Sequence, residues 1–199
     1  MLHRSSTFLV SFLFIVLVFV GCFGLTATLV TPIQSLFLPE ITTYASLVFL
    51  PHGAAILSTM YFGWKAILPL FVAHWVSGYL FGPSEVPYLP DLWGLASQLI
   101  AAACPFISFE AFRRFGKNYY YTADDQTTHW KAILLVGILA SILNAIGQVF
   151  FHSDHLDAAA YARVSIVYAF GDAIGLVVSM LVLMLIFRWV RIGQKVFGK

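Results

Sequence analysis

One acidic residue of this chain lies deep inside a long apolar run. Asp172 belongs to residues 168–175, which read YAFGDAIG and lie within a mostly apolar stretch. A carboxylate at membrane depth is costly unless it is paired, protonated or reached by water, so acidic residues in such runs are candidates for function. Asp172 is therefore the first residue from which chemistry is expected.

Other hydrogen-bonding side chains also interrupt the apolar runs. They are His52, His74, Gln98, Asn144 and Gln148. Asn144 and Gln148 are four residues apart, so on a helix they share a face. Counting inward at ~1.5 Å per residue places Gln98, Asn144 and Asp172 at roughly 10 Å below the outer surface, with the two histidines slightly deeper. The sequence thus predicts a polar layer in the outer half of a bilayer.

This layer has three interpretations. Polar side chains often join membrane helices through hydrogen bonds that contribute only ~0.6 kcal/mol each. Alternatively, the layer lines a pocket that opens outward and holds a small ligand, with His52, His74 or a cation as the partner of Asp172. A haem held by His52 and His74 is the third interpretation. No Cys/His cluster of zinc type and no hydrolase motif frames these residues, so neither a metal site nor a catalytic residue is expected.

Composition assigns the chain to the membrane proteins. Of its 199 residues, 60% are hydrophobic and 10% are charged, whereas soluble domains carry about 25% charged residues. So much apolar surface needs lipid as its solvent. Cys22 and Cys104 both lie in apolar runs, which favours buried thiols over a disulfide. We expect residues 1–199 to form one transmembrane domain.

The apolar runs predict an all-α bundle of six transmembrane helices. Thr31 and Pro32 are expected to end the first helix, Pro51 to kink the second and Gly63 to begin a tight turn. The predicted spans are residues 7–30, 42–62, 66–82, 92–112, 132–151 and 161–188.

The basic residues predict the orientation of this bundle. Ten of the eleven Lys and Arg residues fall on one side of the predicted membrane, and only Arg163 falls on the other. Because cytoplasmic loops are rich in Lys and Arg, both termini are expected in the cytoplasm, and the bacterial inner membrane is the expected location. The basic residues are explained by topology, so nucleic-acid binding is not expected.

A short set of motifs resembles a known family. Residues 50–53 (LPHG), Gly63, Pro69 and residues 171–175 (GDAIG) are similar to the first class of membrane-associated sensor domains, the MASE type. Those domains stand at the N-terminus of bacterial histidine kinases and cyclic-dinucleotide enzymes. The family shows a W-P-x-x-G-like step, an inner-turn Gly, a Pro in the next helix and a final G-D-x-x-G. The matching positions are Pro51, Gly63, Pro69, Gly171, Asp172 and Gly175.

The chain also departs from that family. Leu50 stands where the family has Trp, the spacing to Gly53 is one residue short, and no Pro follows Gly175 in the last helix. The family has about eight helices, and no kinase, cyclase or phosphodiesterase sequence follows residue 190. The resemblance, over roughly residues 42–190, implies a sensor-like module that lacks its own output and acts on another membrane protein.

Three functions are therefore carried forward from the sequence. The first is a non-enzymatic membrane module of sensor type, or an accessory subunit of a membrane complex, that binds a partner and a small ligand. The second is a substrate-binding subunit of a small-molecule uptake transporter. The third is a membrane enzyme that uses Asp172 and the histidines as acid and base.

Candidate faces for a partner come from small residues. Gly21 and Gly24 on the first span lie outside the resembling region, and small residues allow helices to approach closely. Gly137, Ala140, Ser141 and Asn144 on the fifth span form a second candidate face, for which internal packing is an equal alternative.

Overall fold

The computed structural model describes residues 2–39, 46–82, 92–122, 130–152 and 158–197, and within these ranges every regular element is helical. Five helical stretches are long and apolar enough to cross a bilayer: Phe8–Phe37, Leu50–Phe81, Gly94–Arg114, Trp130–Gln148 and Ser165–Ile186. The α-helices are α1 (Leu2–Leu25), α2 (Thr31–Phe37), α3 (Leu50–Phe62), α4 (Ile67–Phe81), α5 (Leu92–Arg114), α6 (Trp130–His152) and α7 (Ala158–Phe197).

The predicted helix end at Pro32 is wrong. A π-helical turn, Thr26–Val30, joins α1 to α2, and helical structure continues to Phe37. Proline clashes with the carbonyl four residues earlier in a regular α-helix, and a π-helical turn changes the local hydrogen-bond spacing. The Thr31 hydroxyl donates to the Thr26 carbonyl at 2.9 Å, so a side chain supplies one of the bonds that the irregular turn needs.

The second predicted span also differs, because it is not one helix. Residues 42–45 lie outside the described residues, residues 46–49 are non-helical, and α3 begins at Leu50. Pro51 thus occupies the first turn, where its missing N–H costs nothing, and does not kink a longer helix. With 13 residues, α3 is roughly 20 Å long, shorter than a ~30 Å hydrocarbon core.

A hairpin joins α3 to α4. Gly63 has φ 57°, a left-handed conformation that glycine adopts without strain, and a 3₁₀ turn, Gly63–Ala66, follows. His52 and His74 would lie roughly 33 Å apart on a straight helix, yet both line one cavity. The chain therefore reverses its direction at this turn, as the predicted turn requires, and α1 packs against both helices.

Within the described residues, the six α-helices of 13 or more residues, α1 and α3 to α7, form a closed ring, and we call them the long helices. α1 packs on α4, α4 on α5, α5 on α6, α6 on α7, α7 on α3, and α3 on α1. One apolar cluster joins α1, α3, α4 and α5 around Phe19 and Leu70. A second joins α3, α5, α6 and α7 around Ile56, Phe109 and Leu176. This ring positions the site, because its centre is reached from every long helix.

The end of the ring near Gly63 carries an aromatic cap that the sequence reading missed. Tyr120 stacks on Phe109 with ring centroids 4.8 Å apart, and its hydroxyl donates to Glu110 at 3.0 Å. The Tyr121 N–H donates to the Met60 carbonyl at 3.1 Å. The polar stretch after α5 thus folds back under α3, and its consecutive tyrosines, residues 119–121, were the available signal.

The last helix is longer than predicted. α7 has 40 residues, whereas the predicted span ended at residue 188. The basic residues after this point do not end the helix, because Arg and Lys are good helix formers. Its apolar part, Ser165–Ile186, accounts for roughly half of a helix that is ~60 Å long.

Candidate functional site

Asp172 lies in the interior of the ring and is 4% exposed. Its Oδ2 atom accepts a 2.6 Å hydrogen bond from the Ser141 hydroxyl on α6. The same oxygen lies 3.5 Å from Nδ1 of His52 on α3. Three helices thus meet at one carboxylate, and we call His52, Ser141 and Asp172 the buried pair site.

Glycines allow these helices to come close enough. A Cβ atom at Gly171 would collide with the carbonyl of Ser46, and one at Gly175 with the backbone of Phe49. In turn, the Phe49 N–H donates to the Gly171 carbonyl at 3.0 Å. The obstacle is main chain in both cases, and main chain cannot rotate away as a side chain can. The glycines of the G-D-x-x-G motif are therefore needed for the close packing of α7 against residues 46–49.

Two more amides of residues 46–50 face side chains of the π-helical turn and of α2. The Leu47 N–H donates to Gln34 Oε1 at 2.7 Å, and the Leu50 N–H lies 3.3 Å from the Thr26 hydroxyl oxygen. Non-helical backbone is tolerated at membrane depth only where protein or water satisfies it. These side chains therefore allow residues 46–49 to stay non-helical inside the bundle, so that α3 begins only at Leu50.

The contacts of His52 bear on how many protons the buried pair holds. Its Nε2 atom lies 3.1 Å from the Gly137 carbonyl, and because a carbonyl only accepts, Nε2 carries a hydrogen. Nδ1 then faces Asp172 Oδ2. If neither atom were protonated, two lone pairs would meet. The contact therefore calls for one proton between them, as imidazolium with carboxylate or as imidazole with carboxylic acid, and the pair is neutral overall either way.

A cavity of about 30 Å³ adjoins this pair, enough for about one or two water molecules. Every long helix contributes to its wall. The lining residues are Phe19, Phe49, His52, Ala55, His74, Ala101, Cys104, Pro105, Ala140, Asn144 and Asp172. The convergence of six helices on one small polar cavity is the main structural feature of the site.

The predicted polar layer divides into two groups. Gln148 Nε2 donates to Asn144 Oδ1 and to the Ser97 carbonyl, both at 3.2 Å. The Ser97 hydroxyl donates to Gln148 Oε1 at 2.6 Å. We call Ser97, Asn144 and Gln148 the amide cluster. It joins α5 to α6, while Gln98 lies beside it on α5 and outside the cavity lining. Only Asn144 belongs to both the cluster and the cavity wall.

The geometry does not suit a haem between the two histidines. His74 lines the cavity and packs on Phe19, with ring centroids 4.5 Å apart. His52 uses both ring nitrogens for Gly137 and Asp172, so iron ligation would break one of these contacts. A porphyrin is also far larger than the 30 Å³ available. A haem is therefore not part of the site described below.

The packing residues proposed from sequence have distinct surroundings. A Cβ at Gly53 would collide with Ser179 of α7, so Gly53 sets the approach of α3 to α7. Pro69 is buried in the first turn of α4. Gly24 faces Phe81 of the same chain, whereas a Cβ at Gly21 would meet nothing within 4 Å. Of the two glycines proposed as a partner face, only Gly21 is open.

The fifth-span face is internal. Ala140 and Ser141 are buried, and a Cβ at Gly137 would collide with Leu176. The functional residues that the sequence reading missed are Ser141 as a partner of Asp172, the Gly137 carbonyl, and Pro105 in the cavity wall. The small-residue spacing on α6 was a signal of close packing, although it did not say which helix would pack there.

The fold and the site define an all-helical, multi-pass membrane protein with a buried carboxylate–imidazole pair. No family model, no curated protein and no solved structure matches this chain.

Proposed function

We propose that this chain is a sensor-like module of the bacterial inner membrane, without catalytic activity of its own. In this proposal the central cavity binds a small ligand, and the module acts on another membrane protein or as an accessory subunit of a larger complex. The observation that supports it best is the cavity itself, to which all six long helices contribute. A ligand there contacts each helix at once, so binding can change how the helices pack.

The proposed topology has six membrane-embedded segments with both termini in the cytoplasm. It is supported by the distribution of Lys and Arg and by the hairpin at Gly63, which divides the stretch Leu50–Phe81 into two. Trp64 and Trp130 are exposed. Both lie near the ends of proposed membrane segments on the proposed cytoplasmic side, where interfacial aromatics are common.

The lateral surface offers contacts for a partner. On α7, Leu181, Val182, Met184, Leu185 and Ile186 are all exposed, and Leu183 is half-buried, so most of the surface of these turns is left uncovered by the rest of the described chain. Exposed α1 residues flank Gly21, where a neighbouring helix could approach closely. Apolar surface of this kind is covered by lipid or by another membrane protein.

The proposal is tested by in-membrane crosslinking and affinity purification, followed by mass spectrometry. The wild type is compared with Asp172→Asn, Gly21→Leu and the control Glu110→Gln, whose carboxylate lies outside the cavity wall. We expect one membrane protein to be enriched with the wild type and the control, and to be reduced with the other two variants. Equal recovery with all four proteins, or no enrichment over an unrelated membrane protein, contradicts the proposal.

One observation favours a second candidate, the substrate-binding subunit of an uptake transporter. Transporters often bind substrates where a helix is interrupted at membrane depth, and residues 46–49 interrupt the helical structure next to the cavity. This alternative predicts that the enriched partner is an energised transport protein, and that its substrate accumulates in cells only when both are present.

A further inference from the structure

We propose that the end of the ring near Gly63 is a docking surface for the headgroups of anionic phospholipids. The surface combines basic side chains with exposed aromatic rings. We call its basic side chains the basic surface: Lys65, Arg113, Arg114, Lys117 and Lys131. This inference concerns the outside of the bundle and does not depend on a ligand in the central cavity.

One apolar cluster brings three helix ends together at this surface. Met60, Phe109 and Ile133 pack in the same cluster. They lie within a few residues of the end of α3, the end of α5 and the start of α6, respectively. The turn after α3, Gly63–Ala66, also contacts α5. Basic residues at these helix ends, although distant in sequence, therefore share one end of the ring.

The end of α5 holds its basic residues on a fixed backbone. Gly116 has φ 77°, and its N–H donates to the Arg113 carbonyl at 3.1 Å. The Lys117 N–H donates to the Phe112 carbonyl at 3.0 Å. This is the hydrogen-bond pattern of a Schellman cap, in which a glycine ends the helix. The cap places Lys117 directly beyond the last turn of α5, which carries Arg113 and Arg114.

The tyrosines that follow tie this segment to the bundle. Tyr119 packs on Phe112 with ring centroids 5.4 Å apart, and Tyr121 packs on Tyr61 with centroids 4.7 Å apart. The backbone around Lys117 is therefore anchored on both sides. A group held in place in this way loses little conformational freedom when a ligand binds, which lowers the cost of binding.

The positive charge of the basic surface is not balanced by the described residues. Glu110 is the one acidic residue that the structure describes at this end. Both of its oxygens are occupied, since Oε1 accepts from the aromatic cap and Oε2 lies 3.1 Å from Arg113. Lys65, Arg114 and Lys117 are exposed and have no carboxylate at ion-pair distance among the described residues. These cations are thus available to an external anion.

Exposed aromatic side chains place this surface at the membrane interface. Trp64, Phe115 and Trp130 are all exposed, and tryptophan is enriched at the level of the lipid headgroups. Two apolar stretches, Gly94–Arg114 and Trp130–Gln148, have their limits at the same end. The basic surface therefore lies at the depth of the lipid phosphates.

An anionic phospholipid fits both kinds of residue at once. Its phosphate suits the guanidinium of Arg114, which offers a planar set of N–H donors, and the ammonium of Lys117. Its acyl chains lie against apolar side chains such as Phe115. Clusters of Lys and Arg next to transmembrane helices attract anionic lipids. A soluble anion would use the charges but not the apolar contact, so a lipid is favoured.

The test is native mass spectrometry of the purified full chain in mild detergent, titrated with phosphatidylglycerol or with phosphatidylcholine of the same acyl chains. We expect phosphatidylglycerol to bind several-fold more tightly. The difference should shrink as the salt concentration rises, because salt screens exposed charges. Inorganic phosphate in excess should leave most of the lipid bound, because it cannot replace the contacts of the acyl chains.

Matched variants locate the surface. Arg114→Gln and Lys117→Gln should each weaken phosphatidylglycerol binding about fivefold, the effect of one cation near an anionic surface. Both side chains are exposed, so both variants should fold. Arg163→Gln is the control, because it removes one arginine near the start of α7, away from this end, and it should bind like the wild type. Glu110→Gln removes a negative charge and should bind at least as tightly as the wild type.

The proposal is overturned if the two lipids bind equally, or if Arg114→Gln and Lys117→Gln bind phosphatidylglycerol as Arg163→Gln does. It is also overturned if inorganic phosphate displaces the lipid completely, since the basic surface would then belong to a soluble anion. Loss of partner capture alone contradicts the proposed function and leaves the lipid result standing.

Discussion

Two polar groups lie near one cavity in the interior of the ring, and they are built differently. The buried pair site places one carboxylate between an imidazole and a hydroxyl, with Asp172 Oδ2 bonded to Ser141 at 2.6 Å. The amide cluster contains only neutral groups, with Gln148 bonded to Ser97 and Asn144. The first group borders a cavity with His52 and Asp172, whereas the second reaches it only through Asn144.

The difference teaches how a polar layer in a membrane protein can be divided between stability and function. Neutral amides bond to one another and need no ligand or proton to balance a charge. A carboxylate–imidazole pair satisfies itself only while it holds a proton, so its state depends on pH and on nearby charge. Polar residues that form one predicted layer in the sequence thus have two different roles in the structure.

The largest expected effect comes from adding a Cβ atom beside each of the two polar groups, because this tests how tightly each is packed. Gly175→Ala should sharply reduce the yield of folded protein, because the new Cβ would meet the backbone of Phe49, which cannot rotate away. Gly147→Ala is the matched control beside the amide cluster. Its Cβ would meet Cγ2 of Ile100 at 2.6 Å, and a side chain can move. Size-exclusion profiles in mild detergent check this, and equal yields for the two variants would show that the G-D-x-x-G contact is not tight.

The next effect concerns the polar groups themselves. Asp172→Ala leaves His52 and Ser141 without their buried acceptor, at a cost of about 1–3 kcal/mol for each group. Gln148→Ala removes neutral hydrogen bonds that contribute ~0.6 kcal/mol each. Reversible unfolding in mixed detergent micelles measures both free energies of unfolding. If Gln148→Ala proves as destabilising as Asp172→Ala, the two groups are energetically alike and the comparison fails.

Much of the fold was predictable from the sequence, for identifiable reasons. The cost of an isolated carboxylate in lipid predicts that Asp172 is internal, and its placement is internal. Gly63 predicts the hairpin, because few residues accept its conformation. Hydropathy finds apolar stretches, but it is insensitive to whether residues 46–49 are helical, since non-helical and helical segments in a bundle are equally apolar.

The rest depends on contacts between distant parts of the chain. Pro51 is compatible with a kink or with a helix start, and the choice is made by Thr26 and Gln34, which bind the amides of residues 46–50. The order of helices around the ring has no signature in any single span. Consequently Ser141 could be recognised as a small residue suited to close packing, but not as the partner of Asp172.

The smallest effect is expected at the aromatic cap around Tyr120, which contributes no residue to either polar group. Tyr120→Phe removes the hydrogen bond to Glu110 and should cost about 0.5–1.5 kcal/mol. Burial, with the hydrogen bond to Glu110, raises the pKa of Tyr120. The hydroxyl therefore remains a donor at neutral pH. Its contribution is fully present below the ordinary tyrosine pKa of about 10 and is lost as pH rises through the folded value.

The difference in unfolding free energy between Tyr120→Phe and the wild type checks this at pH 6 and pH 8. It should be the same at both values. A clear change across this range would mean that the hydroxyl titrates, and that the cap is less protected than its packing on Phe109 implies.

The central claim is that the buried pair holds one proton and no net charge, unlike any group in the amide cluster. Nuclear magnetic resonance of protein labelled with ¹⁵N-histidine and ¹³C-aspartate tests it directly, with Asp172→Asn and His52→Gln used to assign the signals. In buffer at neutral pH, we predict either a doubly protonated His52 with an ionised Asp172 or a neutral His52 with a protonated Asp172. A neutral His52 beside an ionised Asp172 under these conditions, or a doubly protonated His52 beside a protonated Asp172, would contradict the account.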